Sequence, residues 1–222
     1  MKATALIADM AGTTVEDGGI VLAAFADALD SLGITDGDDA RLPAITYVVD
    51  TMGRSKIEVF TELFGPERAL EANQAFEKAY TARLLTEGAT PIAGVEWLLA
   101  ELPRRGVAVG LTTGFSPGTR DALLETLGWR ELITVAVSPA DAGRGRPHPD
   151  MIFEAARQLG CTDLSSVVVA GDTASDMEAG VSSGAGMVVG VLTGTDGEER
   201  LMDAGATHVI TSLAALPGLL DV

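Results

Sequence analysis

The sequence is poor in cysteine, in aromatic side chains and in positive charge. A single cysteine, Cys161, excludes a disulfide within the chain. Aromatic residues make up only 5% of the chain, so the core must be built from the aliphatic residues that dominate its 47% apolar share. Lysine and arginine number 15 against 32 acidic residues, which gives a net charge of −17. Such a surface repels nucleic acid and acidic membranes, so neither is expected as a partner.

Long hydrophobic runs are also missing. The apolar stretch that precedes Asp9 is too short for a signal peptide or for a membrane span. We therefore expect a cytoplasmic protein. At 222 residues, the chain can hold one α/β domain, alone or with a smaller insert.

Strand and helix patterns alternate along most of the chain. Buried-strand patterns occupy residues 5–8, 107–111, 133–137, 167–170, 187–191 and 208–210. This alternation predicts a parallel sheet with helices on both faces, in a doubly wound, Rossmann-like α/β core. Residues 16–88 contain only helical patterns, which end at glycines such as Gly33 and Gly88. We therefore expect a core of residues 1–15 and 89–222, with an all-helical cap domain of residues 16–88 inserted after the first strand.

Four polar segments follow predicted strands. They are residues 9–13, 112–114, 145–147 and 171–176. Open α/β sheets bind ligands at the carboxyl ends of their strands, so these segments are expected to meet at one site. Phosphoryl transfer needs a nucleophile, a hard cation held by oxygen atoms, donors for the phosphoryl oxygens and a fixed positive charge. The four segments contain each of these parts. The alternative, that their acids only cap helices and form turns, does not explain why all four occur together.

In this order the four segments resemble those of the haloacid dehalogenase superfamily, over nearly the whole chain. The resemblance implies that Asp9 is the nucleophile and forms an aspartyl-phosphate, which water then cleaves. It also implies a Mg²⁺ ion held by Asp9, Asp172 and the backbone carbonyl of Ala11, with Asp176 assisting. Carboxylate and carbonyl oxygens suit Mg²⁺, which requires octahedral oxygen ligation.

The phosphoryl group itself is expected to bind to the second and third segments. By the same resemblance, its oxygens contact Thr112, Thr113 and Gly114. Arg146 can grip two phosphoryl oxygens at once, because its guanidinium presents donors in a planar fork.

At residue 11 the chain departs from the superfamily pattern, and this departure limits the reactions that the site could catalyse. Most phosphatases of the superfamily carry a second aspartate two residues after the nucleophile, where this chain has Ala11. An alkoxide leaves badly without a proton, so an ordinary phosphomonoesterase should be crippled by this change. Asp-x-Ala-Gly-Thr resembles the phosphonoacetaldehyde hydrolases, or phosphonatases, which cleave a carbon–phosphorus bond. Arg146, where most of the superfamily has lysine, and residues 171–177 resemble that subfamily too.

Phosphonatases replace the missing acid with a cap lysine that forms a Schiff base with the substrate aldehyde. The protonated imine accepts the electrons of the breaking bond. Residues 52–56, Met-Gly-Arg-Ser-Lys, resemble the motif of that lysine. The resemblance assigns the imine to Lys56 and a substrate contact to Met52. The amine must be neutral to attack an aldehyde, and burial or a nearby cation such as Arg54 favours the neutral form. The alternative is that Lys56 is a solvated lysine on a helix with no catalytic role.

The resemblance weakens at three proton-handling positions. Val59 replaces a histidine, Gly19 a cysteine and Phe115 a tyrosine. These changes leave the substrate open between phosphonoacetaldehyde and a related phosphonate. A phosphatase that acts on a small phosphate ester, with Lys56 only binding substrate, is the second interpretation. A catalytically silent phosphate-binding domain is the third, and the presence of both Asp9 and Asp172 disfavours it. The resemblance also implies a homodimer formed through the cap.

Overall fold

The computed structural model describes residues 2–16 and 18–220. Six parallel strands form one sheet in the order β3-β2-β1-β4-β5-β6. Their bounds are β1 Ala5–Asp9, β2 Ala108–Thr112, β3 Val135–Val137, β4 Val167–Gly171, β5 Met187–Val191 and β6 His208–Ile210. The predicted α/β fold with a parallel sheet is confirmed.

Strand β1 lies in the middle of the sheet and is buried along its whole length. It pairs with β2 on one side, where Asp9 lies opposite Thr112, and with β4 on the other, where Ala8 lies opposite Ala170. Helices cover both faces of a parallel sheet, which explains why its central strands are nearly continuous aliphatic runs. Because all strands are parallel, the polar segments that follow them lie at one edge.

Helices cover the two faces of this sheet. They are α5 Val95–Arg104, α6 Pro117–Thr126, α7 Pro139–Ala142, α8 Asp150–Gln158, α9 Ala174–Ser183 and α10 Glu198–Asp203, with 3-10 turns at Leu164–Ser166 and Leu213–Leu219. Alternate β1 residues enter different layers: Leu6 packs in the cluster that contains α5, and Ile7 packs with α8. The side chains of a strand point to opposite faces, so β1 supports both layers.

Between β1 and α5, the described residues form an insert of four helices. They are α1 Ile20–Ser31, α2 Arg41–Asp50, α3 Lys56–Phe64 and α4 Pro66–Glu87. The insert contains most of the few aromatic residues. The Phe25 ring lies 4.9 Å from that of Phe60 and 4.7 Å from that of Phe76, and Phe76 lies 6.3 Å from Phe115 of the sheet domain. The apolar core of the insert is therefore continuous with that of the sheet.

Local contacts set where one helix and one strand begin. Helix α6 begins at Pro117, because the Ser116 side chain accepts a hydrogen bond from the Thr119 N–H and proline suits the first helical position. Strand β3 begins at Val135 rather than Ile133, whose N–H donates to the Trp129 carbonyl of the preceding turn. Among the helices that the structure describes, none combines the length and hydropathy needed to cross a bilayer.

Candidate active site

A cavity of about 250 Å³ lies between the carboxyl edge of the sheet and the helical insert. Its described lining is Asp9, Ala11, Gly12, Glu16, Gly18 and Val21, then Met52, Gly53, Lys56, Thr113, Gly114, Phe115, Arg146, Asp172, Thr173, Thr193, Gly194 and Thr195. The cavity thus brings together residues from all four predicted polar segments and from the lysine motif. Two predicted site residues are absent from this described lining: Thr112, which ends β2 beside Asp9, and Asp176, in the first turn of α9.

Three buried carboxylates form the acidic part of the site. Oxygen atoms of Asp9, Asp172 and Asp176 all lie within 4.8 Å of one another. Arg146 joins two of them: one terminal nitrogen donates to Asp9 at 2.5 Å, and the other forms an ion pair with Asp176. The buried Nε of Arg146 has no hydrogen-bond partner among the described residues.

The pKa values of these groups show that one guanidinium does not balance three acids. Burial raises the pKa of Asp9 to about 6, although the charge of Arg146 acts to lower it. Burial, with the charges of Asp9 and Asp176, raises the pKa of Asp172 to about 8. Burial acts to lower the pKa of Arg146, but the same carboxylates raise it above its ordinary value. A cluster of oxygen ligands with excess negative charge can hold a metal ion.

The turn after β1 fixes the position of Asp172. The Thr13 hydroxyl donates to Asp172 Oδ1 at 2.8 Å, and the Thr14 hydroxyl donates to the Asp9 carbonyl at 3.0 Å. Gly12 has a φ of 88°, and a Cβ at this position would lie 2.5 Å from Asp172 Oδ2. Only glycine meets both constraints. The Gly-Thr-Thr sequence after Asp9 therefore places the second acid next to the first.

Lys56 lies on the insert side of the same cavity. It begins α3 and is only 7% exposed, so it is not a solvated helical lysine. Its Nζ lies 5.7 Å from the centre of the Phe25 ring and 5.8 Å from that of Phe115. Arg54 instead donates both terminal nitrogens to Glu62, at 2.9 and 2.8 Å, and does not appear in the described lining. The buried amine and the acidic cluster thus face one cavity.

Comparisons with known proteins agree with this arrangement. Residues 6–190 match the family of haloacid dehalogenase-like hydrolases. The chain belongs to the haloacid dehalogenase superfamily. It is 30% identical to a phosphonoacetaldehyde hydrolase of Bacteroides fragilis, over all of this chain and 97% of the relative. It is 34% identical to one of Bacillus cereus, over 88% of this chain and 78% of the relative. The resemblance inferred from the four polar segments is confirmed.

A solved structure shows the same superfamily fold. A hydrolase from Pseudomonas syringae superposes with a TM-score of 0.84 at 26% identity, covering 98% of this chain and 97% of its own. This haloacid dehalogenase-like chain is therefore an enzyme built on the hydrolase fold of the superfamily.

In this member of the superfamily, a fifth polar segment completes the site, and the sequence analysis missed it. Residues 193–195 follow β5. The Thr193 hydroxyl donates to the Gly12 carbonyl at 2.6 Å, and the Thr195 N–H donates to Asp172 Oδ2 at 2.9 Å. A Cβ on Gly194 would overlap the Asp172 carboxylate. Its sequence signal is a Thr-Gly-Thr one residue after a buried strand, which is weak because it contains no ionisable side chain.

The three departures of this haloacid dehalogenase-like enzyme from the phosphonatase pattern lie in or beside its insert. Phe115 lines the cavity, and its ring lies 4.6 Å from that of Tyr80 on α4. Val59 is buried on α3, one turn after Lys56. Gly19 immediately precedes α1. The surroundings of the amine thus contain aromatic and aliphatic carbon where the subfamily pattern has proton-handling groups.

Proposed function

We propose that this enzyme hydrolyses the carbon–phosphorus bond of phosphonoacetaldehyde or a related aldehyde phosphonate. The observation that carries the proposal is the position of Lys56: a buried amine lines the same cavity as Asp9. Residue 11, two positions after Asp9, is alanine and supplies no acid for a departing alkoxide. A site with an amine and without that acid suits a substrate whose leaving carbon can be held as an imine.

The proposed reaction has two covalent stages. The neutral Lys56 amine adds to the aldehyde carbon, and the carbinolamine takes up a proton from solvent and loses water, which gives a protonated imine. A carboxylate oxygen of Asp9 then forms a bond to phosphorus while the carbon–phosphorus bond breaks. The electron pair of that bond moves into the imine and leaves an enamine on Lys56. Water cleaves the aspartyl-phosphate to phosphate, and protonation and hydrolysis of the enamine release the aldehyde and restore the amine.

The phosphoryl oxygens are proposed to bind to Thr112, Thr113, Gly114 and Arg146. Thr113 and Gly114 line the cavity directly, whereas Thr112 lies beside Asp9 in the sheet. Arg146 also lines the cavity, and its guanidinium offers charge-assisted donors. Met52 borders the cavity from the insert and is proposed to contact the organic part of the substrate.

The acidic cluster is proposed to hold Mg²⁺ through Asp9, Asp172, Asp176 and the carbonyl of Ala11. The fit rests on three buried carboxylates against one guanidinium and on oxygen as the donor atom. When bound, Mg²⁺ would neutralise charge on the phosphoryl group. Residues 16–88 are proposed to act as the cap domain that carries Lys56 to this cluster.

A phosphatase that acts on a small phosphate ester is the second candidate. The observation in its favour is the pair of rings, Phe25 and Phe115, near the Lys56 amine. Aromatic faces attract an ammonium group, and a charged lysine binds an anion but does not attack an aldehyde. In this case Lys56 only binds substrate.

Borohydride trapping separates the two candidates. The enzyme is incubated with phosphonoacetaldehyde and borohydride, and the modified peptide is identified by mass spectrometry. A carbon–phosphorus hydrolase gives a reduced adduct on Lys56 and releases phosphate from the aldehyde phosphonate without borohydride. A phosphatase gives no adduct and releases phosphate from esters instead. The Lys56→Arg variant is the control, since it keeps a positive charge but cannot form the imine.

A further inference from the structure

We propose that Gly145 is a positioning residue for Lys56, because its missing Cβ lets the loop before α3 close against the core. The loop in question, residues 51–55, is called the α2–α3 loop. The inference builds on the proposed function, in which Lys56 must reach a substrate held beside Asp9.

The α2–α3 loop approaches the core at three glycine contacts. A Cβ on Gly53 of the loop would overlap the Thr173 hydroxyl of the core. A Cβ on Gly114 would lie 2.5 Å from the carbonyl oxygen of Arg54, and one on Gly145 would lie 2.8 Å from the Ser55 Cβ. Real Cβ atoms essentially never lie closer than 3.0 Å to such atoms, so each contact requires a glycine. The loop therefore lies directly against core backbone at Gly114 and Gly145, and against the Thr173 side chain at Gly53.

These contacts fix the beginning of α3. Ser55 precedes Lys56 and is 2% exposed, and its side chain makes no capping hydrogen bond in the described structure. The Lys56 N–H donates to the Gly114 carbonyl at 3.3 Å. Lys56 is thus held at its own amide by one core glycine and at the preceding residue by another. A displacement of Ser55 moves the start of the helix, and with it the amine.

Gly145 is the most informative of the three glycines. Gly53 has a φ of 84°, so any side chain there strains the backbone whatever it touches. Gly114 is proposed to bind phosphate, so its substitution would affect two properties at once. Gly145 has no positive φ, and beyond Ser55 the nearest atom to its hypothetical Cβ is Pro139 Cγ at 3.4 Å. An added methyl group at residue 145 therefore collides with Ser55.

The test is a double-mutant cycle between residues 145 and 55. We expect Gly145→Ala to lower the rate of borohydride-trapped adduct at Lys56 by at least about tenfold, because small misplacements of a reacting group cost up to about 10² in rate. Affinity for Mg²⁺ and for inorganic phosphate should stay within about twofold. Ser55→Gly removes the opposing Cβ and should restore trapping in the Gly145→Ala background. Ser55→Gly alone should trap at close to the wild-type rate.

Amide hydrogen exchange tests the role of Gly145 without relying on the proposed function. Amide exchange in a peptide that covers residues 52–60 should be at least about fivefold faster in Gly145→Ala and should return to the wild-type rate in the double variant. A wild-type protein that forms no adduct would refute the imine and still leave this loop measurement available.

Two results would overturn the role of Gly145. One is wild-type exchange and trapping in Gly145→Ala. The other is a loss of phosphate affinity in Gly145→Ala that Ser55→Gly does not repair, which would assign the glycine to the Arg146 segment and not to the α2–α3 loop.

Discussion

The two sides of the cavity hold their functional groups through different kinds of contact. On the core side, every acid is held by named polar contacts: Asp172 accepts hydrogen bonds from Thr13 and from the Thr195 amide, and Asp9 is paired with Arg146. On the insert side, the Lys56 amine lies near two aromatic rings, and the backbone at the start of its helix lies against core glycines.

Under the proposed function, the two sides of the cavity have separate tasks. Charge and hydrogen bonds act on a phosphoryl group whatever it is attached to, so the core side sets the class of reaction. In the proposed reaction the amine acts only on the organic part of the substrate, so the insert side would select the bond that breaks. Substitutions that damage one side and spare the other test this division directly.

The largest effect is expected from Asp9→Asn on the core side. Without the carboxylate that we propose as the nucleophile, phosphate release should fall by at least about 10⁴-fold with every substrate. The fold should survive, because a neutral amide removes a charge whose burial is unfavourable. Phosphate release is measured by a colorimetric assay and the fold by circular dichroism. Borohydride trapping at Lys56 should persist in this variant; its loss would show that the two sides do not act independently.

The next effect is expected from Lys56→Ala on the insert side. Turnover of an aldehyde phosphonate should fall by a factor on the order of 10²–10⁴, the range typical of losing a group that assists the leaving atom. Affinity for inorganic phosphate should change by less than about threefold. Lys78→Ala is the matched control, since Lys78 is exposed on α4. An equal loss in both variants, or turnover that survives without Lys56, would contradict the division of tasks.

Metal binding should depend on pH through the acids of the core side. The pKa of Asp172 lies near 8 and that of Asp9 near 6 in the metal-free protein, so an incoming cation must displace protons at neutral pH. The dissociation constant for Mg²⁺, measured by calorimetry, should fall by up to about tenfold for each pH unit between 6 and 8. Asp172→Asn should weaken Mg²⁺ binding and flatten this dependence.

As the pH rises, the free energy of unfolding of the metal-free protein should fall, whereas its affinity for Mg²⁺ should rise. A raised pKa means that the folded chain binds protons that the unfolded chain has already released above pH 4. Its free energy of unfolding should therefore decrease as the pH rises from about 4 to about 8. Saturating Mg²⁺ should remove this decrease, and thermal unfolding at pH 5 and pH 8, with and without the ion, measures it. A metal-free protein that is more stable at pH 8 would contradict the raised pKa values.

The sequence was sufficient to predict features that depend on short segments. The parallel sheet follows from aliphatic runs that alternate with helices, and the positions of Asp9 and Asp172 follow from strands that end at one edge. The segment after β5 was missed, because it acts through a hydroxyl, an amide and the lack of a Cβ. Contacts such as Gly145 with Ser55 join residues far apart in the chain, and nothing near either residue indicates its partner.

The smallest effect is expected from a contact of this kind between Arg200 and the insert. Arg200, on α10, donates to the Asp50 carbonyl at 3.1 Å, at the carboxyl end of α2, and pairs with Asp196 at 3.3 Å. A cation at this end of a helix is favourable by about 0.3–1 kcal/mol, and Arg200 is half exposed, so salt weakens the contact further. Arg200→Ala should therefore slow trapping at Lys56 only about two- to fivefold at low salt.

Because the contact holds the insert and not the acids, the affinity for inorganic phosphate should be unchanged in Arg200→Ala. Arg157→Ala, which removes an exposed pair with Glu154 on α8, is the matched control. The difference between the two variants should shrink in high salt, since the Debye length falls to about 3 Å at 1 M. A loss of phosphate affinity in Arg200→Ala would instead mean that Arg200 acts through Asp196, whose N–H donates to the Asp172 carbonyl at 3.1 Å. In that case Arg200 would support the acidic cluster and not the insert.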